Sequence, residues 1–102
     1  MSTADRLLDY NPDHAAPPGH LVHEYLEHLN ISARELARRC GRSGKLIAEI
    51  VSGKAPLEPA TALQLERVLG VPASVWSNME AAYQLHQARA AESEDLAASH
   101  EW

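Results

Sequence analysis

The chain has 102 residues, 45% of them apolar but none of them Phe, and a formal net charge of −5. That length supports one domain with a modest core. The single cysteine, Cys40, excludes an intrachain disulfide and Cys-x-x-Cys metal sites, and no apolar run approaches membrane-spanning length.

Residues 1–16 read as a flexible arm, with turn chemistry in "NPDHAAPPG" and no basic-then-apolar leader. A cytoplasmic location is expected. Pro17 and Pro18 bar a helix from running through, so the first helix starts near Gly19. Val22, Tyr25, Leu26 and Leu29 follow the i, i+3, i+4, i+7 spacing of one buried stripe. The second helix has the sharpest local signature. Ser32 is a capping residue, and Glu35 three positions on completes a capping box. Ile31 before the cap is placed to staple onto Leu36. Leu36, Ala37 and Cys40 form the inner face, and Gly41 stops the helix. Ser43 caps a third helix, which turns Ile47, Ile50 and Val51 inward and ends at Gly53. Pro59 suits the first position of a fourth helix, with Ala62, Leu65, Val68 and Leu69 as its stripe. A fifth begins after Pro72, carries Val75, Trp76, Met79, Ala82 and Tyr83 on one face, and is expected to stop near Ala91. Residues 92–102 then form an acidic tail. The fold class is all-α: a compact five-helix domain over residues 17–91.

The charge is unevenly spread. Of nine Lys and Arg, six lie between residues 32 and 54: Arg34, Arg38, Arg39, Arg42, Lys45 and Lys54. Only Glu35 and Glu49 oppose them there. The tail carries Glu92, Glu94, Asp95 and Glu101 with no Lys or Arg. Screening makes local charge matter more than the sum.

Helix two, a short turn and helix three form a unit whose steep crossing imposes residue types. A small residue is needed where the helices touch, and Ala37 is there. Gly41, four residues later, suits a left-handed turn. Ile47 and Ile50, six and nine residues after that glycine, hold helix three from behind. One position departs from the pattern. An apolar residue usually follows the turn glycine, and here it is Arg42, whose head is expected to leave the core and is free to meet phosphate.

Over about residues 17–90 the chain resembles the HigA-like antitoxins, within the wider Cro/repressor-type (XRE) helix-turn-helix proteins, whose domain is lambda-repressor-like. The resemblance rests on "PPG", "ISARELA", "I..I.SGKAPL.P.TAL.L...LGV" and "VWSNMEAAYQL". The family's "LGVS" turn is "CGRS" here, and its polar residues at the positions of Gly44 and Leu46 are replaced. The resemblance implies a homodimer that binds double-stranded operator DNA and represses its own operon. It also implies a partner: a small basic RelE-like ribonuclease toxin, neutralised by complex formation.

With Ile47 and Ile50 inward, helix three turns Gly44, Lys45, Ala48, Glu49 and Ser52 outward, and the first turns of such a helix meet base edges. Lys45 can reach guanine, Glu49 can accept from cytosine or pair with Lys45, and Ala48 can touch a thymine methyl. Phosphate contacts are better supplied, by Ser32, Arg34, Arg42, Ser43 and Lys54. Modest base discrimination is therefore expected. A dimerisation face is expected at Val75, Trp76, Met79 and Tyr83, because so short a chain cannot easily bury them all.

Other chemistries find no support. "GRSGKL" fails the phosphate-loop pattern at Arg39 and at Leu46. "HEYLEH" spaces its histidines one residue too far for a zinc-binding helix; His20 with Glu24, or His23 with Glu27, is better read as a solvated pair. No catalytic constellation, metal site or cofactor site is expected, and the chain is not read as an enzyme. Two further readings stay open: a stand-alone transcriptional regulator, and an interaction module with little DNA specificity, which the sparse face of helix three motivates.

Overall fold

The computed structural model describes residues 16–99, with the backbone alone for residues 97–99. The rest of the expected N-terminal arm and the last three residues of the tail lie outside the described residues. Five α-helices follow in order: α1 Pro18–Leu29, α2 Ala33–Cys40, α3 Gly44–Ser52, α4 Pro59–Leu69 and α5 Ala73–Ser99.

The helix ends are set locally. Pro18 and Pro59 open α1 and α4, where a missing N–H costs nothing and the fixed φ is already helical. Ser32 Oγ accepts from Glu35 N–H at 3.0 Å, and Ser43 Oγ accepts from Leu46 N–H at 3.1 Å. Ala73 N–H at the start of α5 donates to Glu66 Oε2 at 2.6 Å. Gly41 ends α2 at φ 68°, with Arg42 N–H donating back to Ala37 O at 2.9 Å. A side chain at that φ would be strained, so glycine sets the tight turn into α3.

Only half of the expected capping box forms. Ser32 caps Glu35, but the Glu35 carboxylate does not reach back to Ser32. It accepts instead from Arg38 Nε at 2.9 Å and Arg39 Nε at 3.1 Å, one turn on. Two guanidinium partners outcompete one backbone N–H because charge-assisted bonds are the stronger ones.

α2 packs on α3, α1 on α3, α4 on α5, α2 on α4, and α1 on α5. The core they enclose includes Leu21, Val22, Tyr25, Leu26, Leu36, Ala37, Cys40, Ile47, Ile50, Leu57, Ala62, Leu65, Val71, Trp76 and Met79. Leu29 was expected in it but is 45% exposed. α1 ends there, the chain reverses at Asn30 (φ 56°), and Ile31 folds back onto the core instead. Leu21 completes the stripe. Val51, Val68 and Leu69 pack at the margin of the core.

Gly19 is where α1 meets α3. A Cβ there would lie 2.7 Å from Val51 O, 2.8 Å from Val51 Cα, and closer still to Ile50 O. All three are backbone atoms at the C-terminal end of α3, so the absence of a side chain lets the start of α1 dock against that helix.

α5 departs most from expectation. Trp76 is fully buried and Met79 nearly so, at 0% and 8% exposure. They are core residues of their own domain and not part of an outward face. The reason is α1: Tyr25 stands 6.5 Å from Trp76, ring centre to ring centre, tilted by 58°, and walls it in from that side. The indole N–H of Trp76 has no hydrogen-bond partner. Val75 and Tyr83 are half-buried. α5 also does not stop near Ala91 but continues to Ser99, 27 residues in all, about 40 Å of helix. No Gly or Pro interrupts residues 73–99, and Ala, Glu, Gln, Leu and Arg favour helix, so the acidic residues Glu92, Glu94 and Asp95 ride on it.

Candidate nucleic-acid interface

α2, the Gly41 turn and α3 form a steep two-helix unit held by Leu36, Ala37, Cys40, Ile47 and Ile50, each at most 5% exposed. With those positions committed inward, the opposite side of α3 is solvent-facing. Gly44, Lys45, Ala48 and Ser52 are exposed, and Glu49 is half-buried. No ion pair joins Lys45 to Glu49 among the described residues, so the Lys45 ammonium is not held by its neighbour. Gly44 has open space around it, and a Cβ there would meet nothing within 4 Å.

Ser32, Arg34, Ser43 and Lys54 are also exposed. Both serines already accept a bond from their own helix, which fixes the hydroxyls at the helix openings. There the remaining N–H groups and the helix dipole favour an anion. Lys54 follows the C-terminal glycine of α3, and its N–H donates to Glu49 O at 2.8 Å.

The six cations are not equivalent. Arg38 and Arg39 are both drawn to Glu35. The Arg38 hydrogen bond, then that from Arg39, holds the Glu35 carboxyl at about 2, well below the usual range. Arg42 does not throw its head clear of the domain. It is half-buried, and its Nε donates to Gln64 Oε1 on α4 at 2.7 Å. The apolar contact usual after the turn glycine is thus replaced by a polar one, which ties the turn to α4. The freest cations of the cluster are therefore Arg34, Lys45 and Lys54. Cys40 lies beneath the turn, and burial pushes its thiol up despite the nearby Arg42 charge, which opposes reactivity.

Sequence spacing did not reveal Gln64, which holds Arg42 from 22 residues away, or Glu80, which accepts from Leu57 N–H at 3.0 Å across 23 residues. Neither bond has a local signal. The histidine pair is as expected: His23 Nε2 and Glu27 Oε1 are 2.8 Å apart on the surface of α1. Among the described residues no cluster of His, Cys, Asp and Glu could hold a metal ion, and no helix is long and apolar enough to cross a membrane.

Comparison with known proteins agrees with this geometry. A helix-turn-helix family model matches residues 22–76, more than half of the chain. The chain is 35% identical over 71 residues to the Escherichia coli HTH-type transcriptional regulator YddM, covering 70% of this chain and 76% of that one. A Nostoc punctiforme protein ascribed to a plasmid maintenance system superposes with a TM-score of 0.83, covering 85% of this chain and 96% of that one; at 23% identity it supports the fold alone. The Pseudomonas aeruginosa antitoxin HigA, solved with the higBA promoter, has a TM-score of 0.75 and 28% identity over 86% of this chain and 95% of that one. The chain belongs to the XRE-type helix-turn-helix family of DNA-binding regulators, and its structural neighbours are HigA-family antitoxins.

Proposed function

We propose that this chain is the antitoxin of a two-gene toxin–antitoxin module. It binds its own operator as a homodimer, represses its operon, and neutralises a small basic RelE-like ribonuclease. The observation that carries the DNA half is the outward side of α3, with exposed Gly44, Lys45, Ala48 and Ser52 on a helix locked from behind by Ile47 and Ile50. The antitoxin half is supported by the likeness to HigA.

In this reading the first turns of α3 enter the major groove. Lys45 is the principal base contact, Ala48 meets a thymine methyl, and Glu49 accepts from cytosine or sets a limit on neighbouring bases. Ser32, Arg34, Ser43 and Lys54, with the helix-opening N–H groups, hold the phosphates. Arg42 joins them through the Nη groups of its guanidinium, since only its Nε donates to Gln64. No Arg, Asn or Gln lies on α3 itself, so each half-site supplies few bidentate contacts and discrimination relies partly on DNA shape and dimer spacing. With Trp76 and Met79 enclosed, the two-fold contact falls on the parts of α5 that remain accessible, at Val75, Tyr83 and the 51%-exposed Leu85.

The test is co-expression with the product of the adjacent gene. A stable complex that blocks mRNA cleavage by that product supports the antitoxin role. The absence of any such complex leaves a stand-alone transcriptional regulator, the reading favoured by the name of the Escherichia coli relative.

A further inference from the structure

The loop between α3 and α4, residues 53–58, carries Lys54 and has few ways to hold its shape. Pro56 has no N–H. Lys54 and Ala55 N–H both donate to Glu49 O, at 2.8 and 3.1 Å, which fixes the start of the loop to α3. Further along, only Leu57 is deeply buried, at 3% exposure. Its N–H donates to Glu80 Oε1 at 3.0 Å, while Glu80 Oε2 accepts from Gln84 Nε2 at 2.5 Å. Both carboxylate oxygens are therefore engaged, one on the loop and one on α5. The Gln84 bond lies along α5 itself and orients the carboxylate toward the loop. Beneath the loop lies a cleft of about 140 Å³, lined by Pro17, Pro18, Lys54, Pro56, Glu80 and Tyr83 among others. Without the Glu80 bond, the loop has room to sink or swing there.

We propose that Glu80 is a positioning residue for Lys54: it fixes the far end of the loop and so links α5 to the DNA-facing surface. This rests on the reading in which Lys54 meets a phosphate. A bond from α5 to this loop means that whatever shifts α5, including contact with a second protein, also shifts a phosphate contact.

The experiment uses the full chain and a labelled duplex taken from immediately upstream of its own reading frame. The slope of log K against log salt is measured for wild type, Glu80→Gln, Glu80→Met, Lys54→Ala and the Glu80→Met/Lys54→Ala double variant. Gln keeps an acceptor oxygen, so Glu80→Gln retains the wild-type slope. Lys54→Ala lowers the slope by about one and weakens binding about eightfold at 0.1 M salt, the effect of one counterion at a slope of −0.9. Glu80→Met, in which Lys54 keeps its charge and its N–H bond to Glu49 O, lowers the slope by a part of that. The double variant loses no more than Lys54→Ala alone. A wild-type slope in folded Glu80→Met, or losses that add in the double variant, overturns the proposal. Amide hydrogen exchange at Leu57 judges the bond without DNA. Protection in wild type and Glu80→Gln supports it, and an unprotected Leu57 amide in the wild type overturns it even if Glu80→Met fails to fold. Failure of the wild type to bind any duplex, with Leu57 protected, removes the DNA reading and the Lys54 role while leaving the loop-to-α5 bond established.

Discussion

Replacing Gly19 with alanine adds one methyl group where α1 meets the end of α3. Alanine is ordinarily the better helix residue, by up to about 1 kcal/mol. Here the new Cβ would sit 2.7–2.8 Å from Val51 O and Cα, and nearer to Ile50 O. None of these atoms ends a flexible side chain, so relief requires one helix to move off the other. Overpacking of this kind costs about 1–3 kcal/mol and occasionally more, and the rigid backbone on both sides puts this site at the upper end. A net loss of about 2–3 kcal/mol corresponds to a fall in Tm of roughly 10–20 °C for a domain of this size. Gly44→Ala is the matched control, since a Cβ there meets nothing within 4 Å and φ is not positive. It should leave Tm unchanged or raise it slightly. Thermal denaturation followed by circular dichroism reads both. A Gly19→Ala variant melting within about 2 °C of wild type would refute the packing argument.

Ser32→Ala and Ser43→Ala each remove one cap and should cost about 1 kcal/mol of stability in denaturant titrations. The Glu35 carboxyl, held at about 2, should show an NMR titration midpoint far below 4.5. Because its folded value is depressed, its contribution to stability is present above pH 4.5 and fades as the pH falls toward 2. Glu35→Gln should abolish that pH dependence, and a midpoint near 4.5 in the wild type contradicts the paired geometry. Arg42→Ala should lower stability through loss of the Gln64 bond and, like Arg34→Ala, reduce the salt slope of DNA binding by about one.

Much of this molecule is legible in residue spacing, because much of it is local. Ser32 and Ser43 cap the helices they precede, and Gly41 and Gly53 end them as their φ values require. Leu36, Ala37, Ile47 and Ile50 are buried where the crossing of two helices needs them. Features that depend on a distant partner are not legible in this way. Trp76 and Met79 look like an exposed face until Tyr25 is placed beside Trp76 and Met79 is seen to join the same core. Arg42 looks like an outward cation until Gln64 is found to hold it. Gly19 marks a helix start in the sequence, and only the approach of α3 shows why nothing larger fits. The continuation of α5 to Ser99 rests on the helix-favouring Ala, Glu and Leu of its last turns, a signal carried by the same residues that give the segment its acidic charge.

The face of α3 combines a well-held scaffold with a thin reading surface, and both should appear in one measurement. Fluorescence anisotropy should be recorded for the wild-type chain across a salt series, with the duplex upstream of its own gene and with a random duplex of equal length. The account predicts tighter binding to its own DNA, a steep linear fall of log K with log salt, and mismatch penalties that stay below about 3 kcal/mol at each position. Equal affinity for both duplexes with a shallow salt slope would contradict it and identify the domain as a protein-interaction module.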